Sequence, residues 1–171
     1  MKILKLIAIP IMLSLMIAGC KEKKNPTGPN DQTGGKLNAV ISGNFSLNFQ
    51  SNNAIGLYDP ADPSEGFEGA MQVQGSVKQG SDEYIIDIQV YRNPVTGTYQ
   101  FSFPMVDAVA SISKNELGYL SKSGSVTFTQ VSKSRLVGTF NFTGISMDAT
   151  GQEVTVTVSS GTFDVPVLDI N

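Results

Sequence analysis

The sequence predicts an all-β domain, an antiparallel β-sandwich or flattened barrel of about 9–11 short strands, and three observations carry that prediction. From Leu37 onward apolar residues recur with a period of two, the signature of strands with one buried face. Breaks rich in Gly, Asn and Ser interrupt this alternation at roughly 8–12-residue spacing. No longer stretch shows the 3.6-residue period of an amphipathic helix.

Taken in order, Leu37, Ala39 and Ile41 alternate with polar or small neighbours, and Phe45, Leu47 and Phe49 repeat the pattern after Gly43-Asn44. Met71, Val73, Gly75 and Val77 face Ile86, Ile88 and Val90 across Gly80-Ser81-Asp82, a hairpin that sends Asp87 and Gln89 outward. Tyr99, Phe101 and Phe103 follow the turn Asn93-Pro94-Val95-Thr96-Gly97. The segment Ala108–Tyr119 alternates least clearly and admits a short helical turn around Asn115–Leu117. Val126, Phe128 and Gln130 pair with Leu136, Gly138, Phe140 and Phe142 across Ser132-Lys133-Ser134. Val154, Val156 and Val158 alternate with threonines, and after a break at Ser159-Ser160-Gly161 the residues Phe163, Val165 and Val167 form a last strand. A barrel would remove exposed edges and a sandwich would have to blunt them; no corner motif separates the two.

The N-terminus is a targeting segment. Two lysines in Met1–Lys5 precede an apolar run, Leu6 to Gly19, broken only by Pro10 and Ser14 and ending in small residues, as in a secretory signal. As a helix that run would rise about 21 Å, short of the roughly 30 Å hydrocarbon core, so it does not read as a permanent span. Ile17-Ala18-Gly19-Cys20 resembles the lipobox of bacterial lipoproteins. The resemblance implies recognition of Ile17, Ala18 and Gly19 by the signal peptidase and cleavage before Cys20. It further implies a diacylglyceryl group on the Cys20 sulfur and an acyl group, such as palmitate, on its amine. Two or three chains, at about 0.8 kcal/mol per buried methylene, make a lasting anchor.

Lys21–Lys36, KEKKNPTGPNDQTGGK, has no apolar side chain larger than proline and reads as a disordered tether of about 20–25 Å r.m.s. span. Lys21, Lys23 and Lys24 stand close enough to the anchor to meet anionic headgroups. The expected organisation is therefore signal peptide 1–19, lipidated Cys20 and tether 20–36, and a single all-β domain 37–171. Lys21 replaces the Asp that follows the lipid site in inner-membrane lipoproteins of some bacteria, which by analogy points to the outer membrane of the cell envelope.

Composition excludes several functions. Residues 37–171 hold six basic residues against thirteen acidic ones, a net −7, a poor match for phosphate backbones, so nucleic acid is discounted as a partner. There is no His and one Cys, which removes the intrachain disulfide and the usual zinc, copper and haem ligands; no cofactor or metal is expected. The same inventory removes the common acid–base and nucleophilic constellations. What remains, Ser111, Ser113 and Lys114 or Ser121, Lys122 and Ser123, is ordinary in a Ser-rich β-protein, and the chain reads as a non-enzyme.

Two groups of residues are candidate contacts. The loop Tyr58–Gly69 carries Asp59, Asp62, Glu65 and Glu68 with one aromatic, Phe67. Hard carboxylate oxygens suit calcium, yet the EF-hand spacing is missing, and a solvated, proline-stiffened connection explains the same residues. Tyr58, Tyr84, Tyr91, Tyr99 and Tyr119 are candidate platforms for sugars. Tyr91 shares its strand face with Asp87 and Gln89, while Tyr84 faces the other way, so Tyr91 is the better surface candidate.

The C-terminal third carries a second resemblance. Gly124–Thr129, Arg135–Thr143 with its Gly138-Thr139-Phe140, Val154-Thr155-Val156 and Gly161-Thr162-Phe163 together resemble a family of Bacteroidota-type lipoproteins of unknown function. That resemblance implies anchoring and an all-β domain, with no activity or ligand. The leading expectation is a membrane-anchored envelope lipoprotein whose non-catalytic β-domain binds or scaffolds an envelope protein, a glycan or a small ligand. The alternatives are a barrel-type carrier of a small apolar ligand and a calcium- or glycan-binding module.

Overall fold

The computed structural model describes residues 34–168 apart from 65, 67 and 103–106; the lipobox and most of the tether lie outside the described residues. Nine strands form: β1 (Gly35–Gly43), β2 (Leu47–Asp59), β3 (Ala70–Gln79), β4 (Asp82–Val90), β5 (Gly97–Ser102), β6 (Ala108–Lys114), β7 (Leu117–Val131), β8 (Arg135–Met147) and β9 (Glu153–Pro166). Each strand except β5 lies beside its sequence neighbours in the order β1-β2-β3-β4-β6-β7-β8-β9, and β9 returns to pair with β1. The result is a closed, eight-stranded, antiparallel up-and-down barrel with β5 as an extra strand on β7. Closure leaves the ring itself without an exposed edge.

Several expectations are corrected here. The nine strands fall within the expected number, but several are longer than the alternation suggests, with β7 reaching 15 residues and β9 14. The cause is β-bulges, three of which each reverse the inward parity in the middle of one continuous strand. In β2, inward Phe49 and Ser51 give way to Ala54, with the Ser51 hydroxyl donating to Asn53 Oδ1 at 2.6 Å inside the bulge. In β7, inward Tyr119 and Ser121 give way to Val126 and Phe128 past a register shift at Lys122. In β9, Val156 and Val158 give way to Phe163 and Val165 past Ser160, a non-glycine residue at φ 51°. The break expected at Ser159-Ser160-Gly161 is thus a bulge and not a loop.

No helical turn forms at Asn115–Leu117. Lys114 and Leu117 pair across the two-residue turn Asn115-Glu116, and Asn115 adopts φ 53°, a conformation its short amide tolerates. Its side chain accepts from the Glu83 amide at 2.9 Å and donates to Asp82 at 2.9 Å, tying this turn to the neighbouring hairpin. At the N-terminal boundary, β1 takes in Gly35 and Lys36, which composition places in the tether.

The interior is filled by side chains. A residue lining a void wide enough for water exposes area to it, whereas Leu37, Phe49, Val73, Ile86, Ile88, Ile112, Val126, Leu136 and Val165 expose 0%. Phe128 and Phe163 meet edge to face at 5.1 Å, and Phe101 of β5 meets Phe142 at 6.1 Å. An eight-stranded barrel is just wide enough for its own side chains to fill.

The two ends of the barrel differ. One is closed by short connections at 44–46, 80–81, 115–116 and 148–152. Under it Phe45 packs against Tyr84 and Tyr119, each at 5.6 Å, and the Asn44 amide donates to the Tyr119 hydroxyl at 2.6 Å. The other end gathers residue 34, the connections 60–69, 91–96 and 132–134, and residue 168. At its wall the β6–β7 pairing ends, because β5 takes over the same edge of β7 from Ser123 to Phe128. The buried Ser121 hydroxyl accepts from the Ala110 amide at 3.0 Å and satisfies the donor that this fork would otherwise orphan.

Candidate functional site

The loop end carries a cleft of about 640 Å³, open to solvent, between the connections 60–69 and 91–96. Ala61, Pro63, Gly66 and Glu68 form one wall, and Arg92, Asn93, Val95 and Tyr99 the other. The two connections are locked at the base. Gly69 and Pro94 are both buried, and a Cβ on Gly69 would lie 2.7 Å from the proline ring and 3.0 Å from the Ala61 amide. Gly69 also adopts φ 92°, which side chains rarely accept, so glycine is required there on both counts.

The second wall is braced from below. The Tyr99 hydroxyl donates to the Val95 carbonyl at 2.9 Å, and its ring stands edge-on to buried Phe128 at 6.0 Å. The Arg92 guanidinium pairs with Asp107 at 2.5 Å through Nε, and the Asp107 carbonyl accepts from the Tyr91 amide at 2.8 Å. Val95 is half exposed at 51%, an apolar side chain held in the open by a Pro-Gly turn.

Below the cleft, a polar strip runs down the outside of β3 and β4. Gln72 lies directly opposite Gln89, and Gln74 opposite Asp87. Gln72 donates to one Asp87 oxygen at 2.7 Å, Gln89 donates to the other, and the Tyr91 hydroxyl donates to the Gln89 carbonyl. Asp87, Gln72 and Gln89 are half-buried. Desolvation pushes the Asp87 carboxyl above its ordinary value, and the two amide hydrogen bonds offset this only in part. Burial likewise raises the Tyr91 phenol, with the Asp87 charge acting in the same direction. The strip ends at Tyr91, half exposed and next in the chain to Arg92 of the cleft wall.

The residues singled out from the sequence fare differently. Ile17, Ala18, Gly19, Cys20, Glu65 and Phe67 lie outside the described residues. Glu68 lines the cleft, whereas Asp59 ends β2, exposed. Asp62 accepts from the Ser64 amide at 2.9 Å and from its hydroxyl at 2.6 Å, a turn-forming arrangement. Among the described residues no three carboxylates converge as a metal site would need. Tyr84 and Tyr119 are buried in the aromatic plug at the far end, and Tyr58 packs against the core. Tyr91 faces outward beside Asp87 and Gln89, as its parity predicts.

Arg92, Val95 and Gln72 escaped the sequence reading. The available signal was Val95, an apolar residue exposed by its turn, but nothing local tells that the turn faces the loop 60–69. Among the described residues of the cleft, Glu68 and Arg92 are the charged ones, so they offer one charge of each sign beside the apolar walls and the array of fixed amides on β3 and β4. Compared with protein families, with curated proteins and with solved structures, the chain matches none.

Proposed function

We propose that this chain is a bacterial envelope lipoprotein, held by acyl chains on Cys20 at the outer membrane, whose barrel is a non-catalytic binding domain that meets its partner through the loop-end cleft. The lipobox resemblance and the Bacteroidota-type motifs support the anchoring, and the absence of His with Cys20 assigned to lipid supports the lack of catalysis. One observation carries the binding reading: the cleft is walled by exposed Pro63 and Val95 and by half-buried Tyr99, whose hydroxyl braces the Val95 turn in place. The filled interior supports a surface site over a lumenal carrier site.

The chain enters β1 at the same end as the cleft. With a tether of about 20–25 Å r.m.s. span, the cleft stays within reach of the membrane surface. Cys20→Ala is expected to shift the chain from the membrane fraction to the soluble or unprocessed one; unchanged partition overturns the anchoring. A photo-crosslinking residue at Val95 is expected to capture envelope material in whole cells, and one at Met147, exposed at the opposite end, is not. Equal capture at both positions overturns the assignment of the cleft.

A further inference from the structure

We propose that the outward strip Gln72–Asp87–Gln89–Tyr91 and the adjoining cleft form one recognition track for a neutral glycan chain, an inference that rests on the binding reading above and names its ligand class. The strip is unusual for the outside of a barrel. A carboxylate there would ordinarily be solvated, yet Asp87 is half-buried with each oxygen taken by a glutamine amide. The arrangement fixes two long side chains that would otherwise lose rotamer freedom on meeting a ligand, so their ordering precedes binding.

What the fixed groups present fits hydroxyls. Each glutamine NH2 carries a second hydrogen beyond the one given to Asp87, and the Gln72 side-chain carbonyl is an acceptor beside it. Planar amides with donors and acceptors side by side match sugar hydroxyls, which donate and accept at once. The rings of Tyr91 and Tyr99, with Pro63 and Val95, supply apolar surface for the C–H faces of pyranose rings. Four residues of strand place Asp87 and Tyr91 about 13 Å apart, and the cleft lengthens the track beyond a single sugar.

Other ligand classes fit less well. A polyanion or an anionic headgroup would need an excess of cations, but Arg92 is already paired with Asp107 and faces Glu68 across the cleft. An extended peptide adding to the sheet would need free backbone groups, but β3 is paired on both sides by β2 and β4, and β4 by β3 and β6.

The test uses the full chain in detergent micelles, titrated calorimetrically with neutral hexasaccharides of α-1,4-glucose, β-1,4-glucose and β-1,4-N-acetylglucosamine. At least one is expected to bind saturably, with Gln72→Ala and Tyr91→Ala each weakening it about tenfold while each variant stays folded at the titration temperature, as circular dichroism reads it. Absence of binding by all three at millimolar sugar, or binding equal in wild type and both variants, overturns the proposal. Crosslinking from Val95 separates this failure from that of the broader reading: capture retained without sugar binding removes only the glycan, and capture lost removes the binding domain itself.

Discussion

Inserting one alanine after Ser160 tests the bulge argument most sharply, with deletion of Ser160 as its counterpart. Val156 and Val158 face inward at even positions, Phe163 and Val165 at odd ones, and the extra residue at Ser160 is what reconciles them. Without it Val156, Val158, Gly161, Phe163 and Val165 fall at every second residue, and a regular β9 keeps them all in the core. One further residue, in a strand that keeps its single bulge and its first half in place, instead turns Phe163 and Val165 outward and brings Thr162 and Asp164 in. Phe163 and Val165 expose 2% and 0%, and at about 1.5–3 kcal/mol for each buried side chain the loss is about 3–6 kcal/mol before the burial of Asp164 is added. A domain of this size is stable by only about 5–15 kcal/mol, so the insertion is expected to unfold the barrel or leave it marginal, and the deletion to stay folded. Ser160→Gly keeps the bulge and relieves the left-handed backbone at φ 51°, and is expected to gain up to about 1 kcal/mol. Urea unfolding followed by far-ultraviolet circular dichroism measures all three. An insertion variant within about 1 kcal/mol of wild type, or a deletion variant that does not fold, would refute the parity reasoning.

Three further outcomes are expected. Gly138→Ala places a Cβ 2.2 Å from the Thr127 carbonyl oxygen and 2.5 Å from the Phe163 ring, and since the first is backbone the variant should lose about 3 kcal/mol or more in the same unfolding assay. Asn115→Ala should be less stable than Asn115→Gly by about 1–2 kcal/mol, because both lose the amide contacts and only alanine resists φ 53°. For Asp87 the sign follows from its raised folded-state value: between the unfolded carboxyl value, about 3.9, and that raised value the folded chain holds the proton more tightly, so Asp87 ionisation lowers stability as pH rises. The stability of Asp87→Asn relative to wild type should therefore increase with pH through that window; a pH-independent difference would contradict the desolvation of this carboxyl.

Much of the fold was legible because alternation is a local property. Leu37-Ala39-Ile41, the hairpins around Gly80-Ser81 and Ser132–Ser134, and the outward placement of Tyr91 all follow from which neighbours along one strand are apolar. What misled was equally local: a parity reversal inside a strand looks the same in sequence as two strands separated by a loop. The bulges at Ser160, Lys122 and Asn52-Asn53 were therefore invisible as bulges, since each is defined by its register against two partners. Ala108–Tyr119 was obscure because its inward residues include two alanines and its turn, Asn115-Glu116, contains no glycine.

The sequence by itself determined the all-β class, the alternating core positions and the exclusion of imidazole and thiolate chemistry from the domain, because composition and period need no partner. Only the tertiary structure decided that the strands close into a ring, since closure depends on β9 meeting β1 across the whole length of the domain. Only the tertiary structure, too, assembled the cleft and its strip. Glu68 and Arg92 are far apart in sequence, and Gln72 and Asp87 meet only through the β3–β4 register. A site built from groups on different strands is written in the pairing of the sheet, and that pairing is a property of the whole chain.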